Sequence, residues 1–312
     1  MDPSLFHLET ADPGFADADS GFDRSQYIFF GVPYDATSSH MSGSRNGPSS
    51  IREESYNFET YLMDINVDLL DIDMCDVGDI RLENLLENQE RVLETVYGLV
   101  SEIYRHDKIP LMMGGEHSLT EPAVDAFMKK YDNLGGVAIL VDAHMDFRDQ
   151  YMDNPHSHAC VTRRIFEKWG RESVCVLGAR SGCREEVEEA KDKGLRYFTT
   201  DDVIRQGIVQ IIDNWDDDMA LRERPLYISI DIDGLDPSNA PGTGTPEPWG
   251  LNSLTIRRLV EDLYPNVKGV DVMEVSPEVE RYITPGLAGK LLRRIIGLME
   301  MEIQHPTWLE RV

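Results

Sequence analysis

The chain has 312 residues, 41% of them hydrophobic, and 57 acidic against 30 basic side chains give a formal net charge of −27 at pH 7. Such a field repels phosphate backbones and anionic lipid surfaces, so nucleic acid and membrane are excluded as partners, and a small cation is the better match. Four cysteines (Cys75, Cys160, Cys175, Cys183) without C-x-x-C pairing exclude a disulfide framework. No apolar run approaches the roughly 18 residues of a membrane span, and residues 1–25 lack a basic region followed by an apolar segment, so a cytoplasmic location is expected.

Residues 1–24, rich in Asp, Gly and Ser, read as an N-terminal arm, ordered against a neighbouring subunit if at all; residues 25–312 read as one domain with no internal linker or repeat. From there apolar runs alternate with amphipathic stretches. The runs predict strands at 27–32, 67–77, 109–113, 136–141, 173–178, 195–198, 225–230 and 267–274. Helical periodicity covers 84–106, 119–131, 159–169, 184–193, 201–214, 253–264 and 286–303, the last with a Leu and Ile stripe read as core. Strands separated by helices require parallel crossovers. The expected fold is therefore α/β, a three-layer sandwich around a mostly parallel sheet of about eight strands.

Directly after the strand "VAILV" comes "DAHMDFRD". In extended backbone the side-chain period is two, so Asp142, His144 and Asp146 share one side, each about 6.6 Å from the next. "YISI" is followed by Asp231 and Asp233, again on one face, and "IPLMM" by two glycines and then His117. In open α/β sheets ligands bind outside the carboxyl ends of the strands, where all three elements lie. A single Asp after a strand is commonly a cap or turn former. Several acids at neighbouring strand ends with no alternating Lys or Arg are different, because their repulsion demands a counter-charge. Divalent cations supply it. One imidazole per ion among many oxygens suits Mn²⁺ better than Zn²⁺, with Ni²⁺, Co²⁺ and Fe²⁺ as alternatives. Six ligands are too many for one such ion with an open position, so two ions bridged by carboxylates are expected.

In these residues the chain resembles the ureohydrolases, the family of arginases and agmatinases, and the agmatinases most. The resemblance rests on "GGEHS" (114–118), "DAHMD" (142–146), "SIDIDGLDPSNAPGTGTPEPWGL" (229–251) and "MEVSP" (273–277), with support from "GVPYDATSSHMSGSRNGPSSIR" (31–52). It implies the arginase and deacetylase-like sandwich, two Mn²⁺ per chain, a homo-oligomer (trimer or hexamer), and hydrolysis of a guanidino group to urea and an amine. By motif position His117 and Asp146 would belong to the first ion, His144 and Asp233 to the second, and Asp142 and Asp231 would bridge both. Asp146 would also handle the proton of the attacking water, and Glu274 would hold the guanidinium through paired hydrogen bonds. Relatives carry a proton-shuttling His in the loop after "DAHMD", which makes His158 the candidate and His156 its rival.

The loop 147–157, "FRDQYMDNPHS", lacks the Asn, Ser and Thr donors that arginases offer to an amino-acid carboxylate. Asp149 and Asp153 could face a distal ammonium, whereas Arg148 could receive a carboxylate. Agmatine, cleaved to putrescine and urea in polyamine biosynthesis, is the expected substrate. Aminopropylagmatine, guanidinobutyrate, guanidine and arginine are the alternatives within the class, and a non-catalytic metal-binding scaffold is the alternative outside it.

Overall fold

The computed structural model describes residues 6–83, 85 and 88–304. Among them, β1 (Leu8–Glu9), β2 (Tyr27–Val32), β3 (Tyr61–Leu62), β4 (Val67–Asp68), β5 (Met74–Ile80), β6 (Ile109–Gly114), β7 (Val137–Val141), β8 (Val174–Ala179), β9 (Arg196–Thr199), β10 (Leu226–Asp231) and β11 (Val267–Met273) are the strands. Nine of them form one sheet in the order β1-β5-β2-β6-β11-β10-β7-β8-β9, and β3 pairs separately with β4. Every pairing in the large sheet is parallel except β1 with β5. The helices are α1 (Gly47–Ser55), α2 (Gln89–Arg105), α3 (Thr120–Lys130), α4 (Val161–Trp169), α5 (Arg184–Lys193), α6 (Thr200–Gln206), α7 (Ile208–Met219), α8 (Ser253–Leu263) and α9 (Ile283–Gln304).

Period-two alternation divides the core into two layers, as an α/β sandwich requires. From β7, Ile139 and Val141 pack with Ile211 and Trp215 of α7, Leu259 of α8 and Ile295 of α9. Ala138 and Leu140 of the same strand pack with Val96 and Leu99 of α2, Phe127 of α3 and Ile165 of α4. The stripe on α9 thus lies in the core.

Several elements differ from expectation, among them the short strands β1 and β3, which no expected run covers. The run 67–77 breaks after Asp68, whose side chain accepts from Leu70 N, so a short 3₁₀ turn separates β4 from β5. Helix α1 opens with Gly47-Pro48, whose proline suits a first helical turn; its few apolar positions gave no readable stripe. The helix expected over 201–214 is broken at Gly207, with φ +84, into α6 and α7. Residues 6–24 pack on this chain's own sheet: Phe15 is buried and stacks on Phe29 with centroids 4.1 Å apart, and Asp17 pairs with Arg293 of α9 at 2.7 Å. Of the expected helix at 84–106, residues 84, 86 and 87 lie outside the described residues, and α2 begins at Gln89, capped by the Asn88 side chain.

Candidate metal centre and active site

The four strands β6, β11, β10 and β7 are consecutive neighbours in the sheet and mutually parallel, so their carboxyl ends open on one edge. "GGEHS", "MEVSP", "DID" and "DAHMD" follow them in that order across the sheet. Sequence-distant motifs thus become one rim. His117 is brought over it because Gly115 allows the chain to pass close to Tyr34; a Cβ there would lie 1.8 Å from the Tyr34 carbonyl oxygen. Beyond Val141 the backbone does not continue as a strand: Asp146 has φ +46, and Glu274 after β11 has φ +59. Left-handed backbone at non-glycine residues is strained, and here it aims two carboxylates inward.

The six expected ligand residues converge. His117 Nδ1 lies 3.1 Å from Asp142 Oδ2, 3.2 Å from Asp146 Oδ2 and 3.2 Å from Asp231 Oδ2. His144 Nδ1 lies 3.1 Å from Asp233 Oδ2 and 3.5 Å from Asp142 Oδ1. Asp142 therefore turns one oxygen to each imidazole. Two groups of donor atoms close enough to hold a cation result, His117 with Asp142 and Asp146, and Asp142 with His144 and Asp233. Asp231 is anchored differently, its Oδ1 accepting from Asp233 N at 3.0 Å. Thr245 donates to Asp233 Oδ2 at 2.9 Å.

The electrostatics ask for positive charge. Among the described residues none of these carboxylates ion-pairs with Lys or Arg; their cationic partners are the two imidazoles. Nearby Arg180 spends its guanidinium on backbone carbonyls, among them those of Gly178, Asp233, Glu247 and Pro248. Burial, then Asp142, pushes Asp146 up to about 7; burial, then Glu116, pushes Glu274 up to about 8. Asp231 rises well above the carboxylate range through burial and its neighbours Asp233 and Asp142. Burial also opposes the charge of Asp142, but the neighbouring imidazoles of His117 and His144 outweigh it and hold that carboxyl low. The buried His117 Nδ1 has no hydrogen-bond partner although three carboxylate oxygens surround it. Hard oxygen donors, two imidazoles and an orphaned buried nitrogen fit a pair of divalent cations.

These residues form the floor of a cavity of about 390 Å³, whose wall includes Ser39, Arg148, Tyr151, His158, Cys183 and Glu186. Glu274 lines it and accepts from His117 N at 2.8 Å through one carboxylate oxygen. His158 faces the cavity with Nε2 3.4 Å from Ser39 Oγ, and its Nδ1 lies 3.1 Å from Thr37 Oγ1. His156 does not face it: the ring is held by Glu121 at 2.9 Å on the outer surface. Asp149 is 72% exposed and pairs with Arg164, and neither it nor Asp153 lines the cavity. The acid on that wall is Glu186, fixed by Phe147 N at 2.8 Å, with Arg148 3.7 Å away and lying over the Tyr151 ring.

Sequence reasoning missed Thr37, Glu186, Ser229 and Asp271. Ser229 stands two residues before Asp231 on the same strand face, and Asp271 is the acid inside the otherwise apolar second half of β11; both signals were readable. Thr37 and Glu186 sit in polar loop and helix segments that mark nothing by themselves.

Over residues 25–297 the chain matches the profile of the arginase family. It is 36% identical over 281 residues to an N(1)-aminopropylagmatine ureohydrolase of Thermococcus kodakarensis, covering 89% of this chain and 92% of the relative. It is 36% identical over 279 residues to an agmatinase of Bacillus subtilis, covering 88% and 92%. Among solved structures, the agmatine ureohydrolase of Thermoplasma volcanium is similar over 100% of both chains, with 38% identity and a TM-score of 0.86.

Proposed function

The chain belongs to the arginase family, and on that premise we propose that it hydrolyses the guanidinium group of agmatine to urea and putrescine. The observation that carries the reading is the pair of donor groups sharing Asp142 at an acidic cavity of about 390 Å³. His117, Asp142, Asp146 and Asp231 would hold one divalent ion, and Asp142, His144, Asp231 and Asp233 the other. The donor chemistry favours Mn²⁺. When bound, two such ions supply Lewis acidity that makes water nucleophilic near neutral pH.

The chain's own groups do the rest. Glu274 has one oxygen tied to His117 N and turns the other to the guanidinium, orienting its central carbon toward the floor. Asp146, beside the attacking water, takes one of its protons as the C–O bond forms. The C–N bond to the alkyl chain then breaks, and His158 passes a proton to the departing amine. Water and guanidinium thus become urea and an alkylammonium.

Glu186, which lines the same cavity, offers a carboxylate to the substrate's distal ammonium, which agmatine and aminopropylagmatine both carry. Arg148 beside it favours a second reading, a substrate ending in a carboxylate such as guanidinobutyrate. The reading also places the enzyme in the cytoplasm as a homo-oligomer, a trimer or hexamer, in polyamine synthesis. Among the described residues no helix is long and apolar enough to cross a membrane. Urea release from agmatine, aminopropylagmatine, guanidinobutyrate, guanidine and arginine by Mn²⁺-loaded protein tests the substrate assignment. Agmatine should give the highest kcat/KM. Guanidinobutyrate ahead of agmatine would shift the assignment to Arg148, and no urea from any of them would leave a non-catalytic metal-binding scaffold.

A further inference from the structure

β11 carries an acid that the reaction does not use. Asp271 is completely buried, and among the described residues no Lys or Arg pairs with it. Its charge is met by three hydroxyls instead: Ser229 Oγ donates at 2.5 Å, Tyr227 Oη at 2.9 Å and Thr120 Oγ1 at 3.0 Å. Three neutral donors in the core leave a carboxylate short of a full counter-charge.

The hydroxyl of Ser229 links this acid to the site. Its proton is committed to Asp271, so toward any other neighbour its oxygen can only accept. That neighbour is His117 Nε2, 3.0 Å away, which must therefore be the protonated ring nitrogen. The same assignment makes Nδ1 the nitrogen with the free lone pair, and Nδ1 is the atom that faces Asp142, Asp146 and Asp231 without a hydrogen-bond partner. Among three carboxylate oxygens that atom calls for positive charge, a proton or a cation in its place.

Accepting the metal centre described above, we infer that Asp271, acting through Ser229, is a positioning residue that fixes His117 as an Nδ1 donor and thereby sets cation affinity at the His117 position. It touches neither ion nor substrate. The carboxylate makes the imidazole a better donor, and the cation supplies through the ring the positive charge that the buried acid otherwise lacks. The relay serves one position of two, because His144 has no contact with Ser229 or Asp271 among the contacts described.

The test is Mn²⁺ binding to chelator-stripped protein, followed by the electron paramagnetic resonance signal of the free ion. Wild type should bind two ions. Ser229→Ala and Asp271→Asn should each weaken one position by about 10- to 100-fold, the usual range for loss of such a partner, and leave the other unchanged. Wild-type affinity at both positions in Ser229→Ala overturns the inference. So does equal weakening of both together with a lowered unfolding temperature of the metal-free protein, since that marks a merely structural role. Imidazole ¹⁵N shifts of wild type loaded with diamagnetic Zn²⁺ give a readout that needs no variant: His117 should carry its proton at Nε2, and a proton at Nδ1 would sink the relay. Retention of two ions by both His117→Ala and Asp142→Asn would instead refute the metal centre itself and remove the inference with it.

Discussion

Thr37→Val is the substitution that most sharply tests how His158 handles its proton. Thr37 Oγ1 donates to Glu116 Oε1 at 2.7 Å, so its proton is spoken for and its oxygen accepts from His158, from the backbone N at 3.1 Å and from Nδ1 at 3.1 Å. Nδ1 is thereby the protonated nitrogen, and the lone pair of Nε2 is left to the cavity. When Nε2 takes up a proton, the buried Glu116 carboxylate stabilises the resulting imidazolium through the Thr37 hydroxyl. Valine matches threonine in shape and removes that link. Glu116 keeps two donors, Thr37 N at 2.6 Å and Ser118 Oγ at 2.5 Å, so the fold should lose only about 1–3 kcal/mol. The imidazolium loses one hydrogen bond of the charge-assisted kind, worth about 1.5–3 kcal/mol, which is about 10- to 100-fold in kcat. KM for agmatine and Mn²⁺ content should not move, and Thr37→Ser, which keeps the hydroxyl, should recover most of the rate. Steady-state urea release at saturating Mn²⁺ is the assay. Removing the ring altogether in His158→Ala should slow the enzyme by about 10² to 10⁴, and His156→Ala should do little. A Thr37→Val enzyme within about twofold of Thr37→Ser would refute the relay; a crippled His156→Ala beside a normal His158→Ala would move the proton transfer to the outer histidine.

Metal analysis should find two ions per chain, with Asp142→Asn weakening both positions because Asp142 turns an oxygen to each imidazole, while Asp233→Asn affects chiefly the His144 position; a firm stoichiometry of one in wild type contradicts the dinuclear centre. Burial pushes the His158 imidazole down from 6.5 to about 4. A depressed histidine binds its proton more weakly folded than unfolded, so stability is lost as pH falls through that window. Thermal unfolding of wild type should therefore worsen more than that of His158→Gln as the pH is lowered from 6.5 toward 4, and parallel curves would remove the assignment. Gly115→Ala places a Cβ 1.8 Å from the Tyr34 carbonyl oxygen, which backbone can relieve only by moving. Overpacking of this kind costs about 1–3 kcal/mol or more and should show as a lowered unfolding temperature with weaker Mn²⁺ binding, since His117 moves with the turn; an unaltered protein on both counts would contradict the packing argument.

The parallel sheet was legible because most of its long strands are compact apolar runs between turn-forming residues, and the metal-capable cluster because its acids stand at the ends of such runs. Period two captured the direction of Asp142 and His144, yet it did not reach Asp146, whose left-handed backbone ends the extended segment before that residue. The cluster still closes, by a turn rather than by alternation. What sorted His158 from His156 was tertiary: two residues apart in sequence, one faces Ser39 across the cavity and the other is held outside by Glu121.

The partners that give the site its chemistry are harder to read for a physical reason. Thr37 meets Glu116 across 79 residues and His158 across 121, and Ser229 meets His117 across 112. A hydroxyl carries no periodic signal and is at home in any loop, so nothing local distinguishes Thr37 from its neighbour Ser38. Its role arises only when β2, β6 and the loop before α4 are brought to one rim by the order of strands in the sheet. Asp271 is the opposite case. A carboxylate within the buried half of β11 carries a desolvation cost wherever the strand packs, so its sequence alone demands hydroxyl, amide or cationic partners. On the proposed reading, two of the site's histidines are each set by an acid one hydroxyl away, Asp271 through Ser229 for His117 and Glu116 through Thr37 for His158. The two relays fix opposite tautomers, Nε2–H in the first and Nδ1–H in the second, which leaves Nδ1 of His117 for a cation and Nε2 of His158 for a proton.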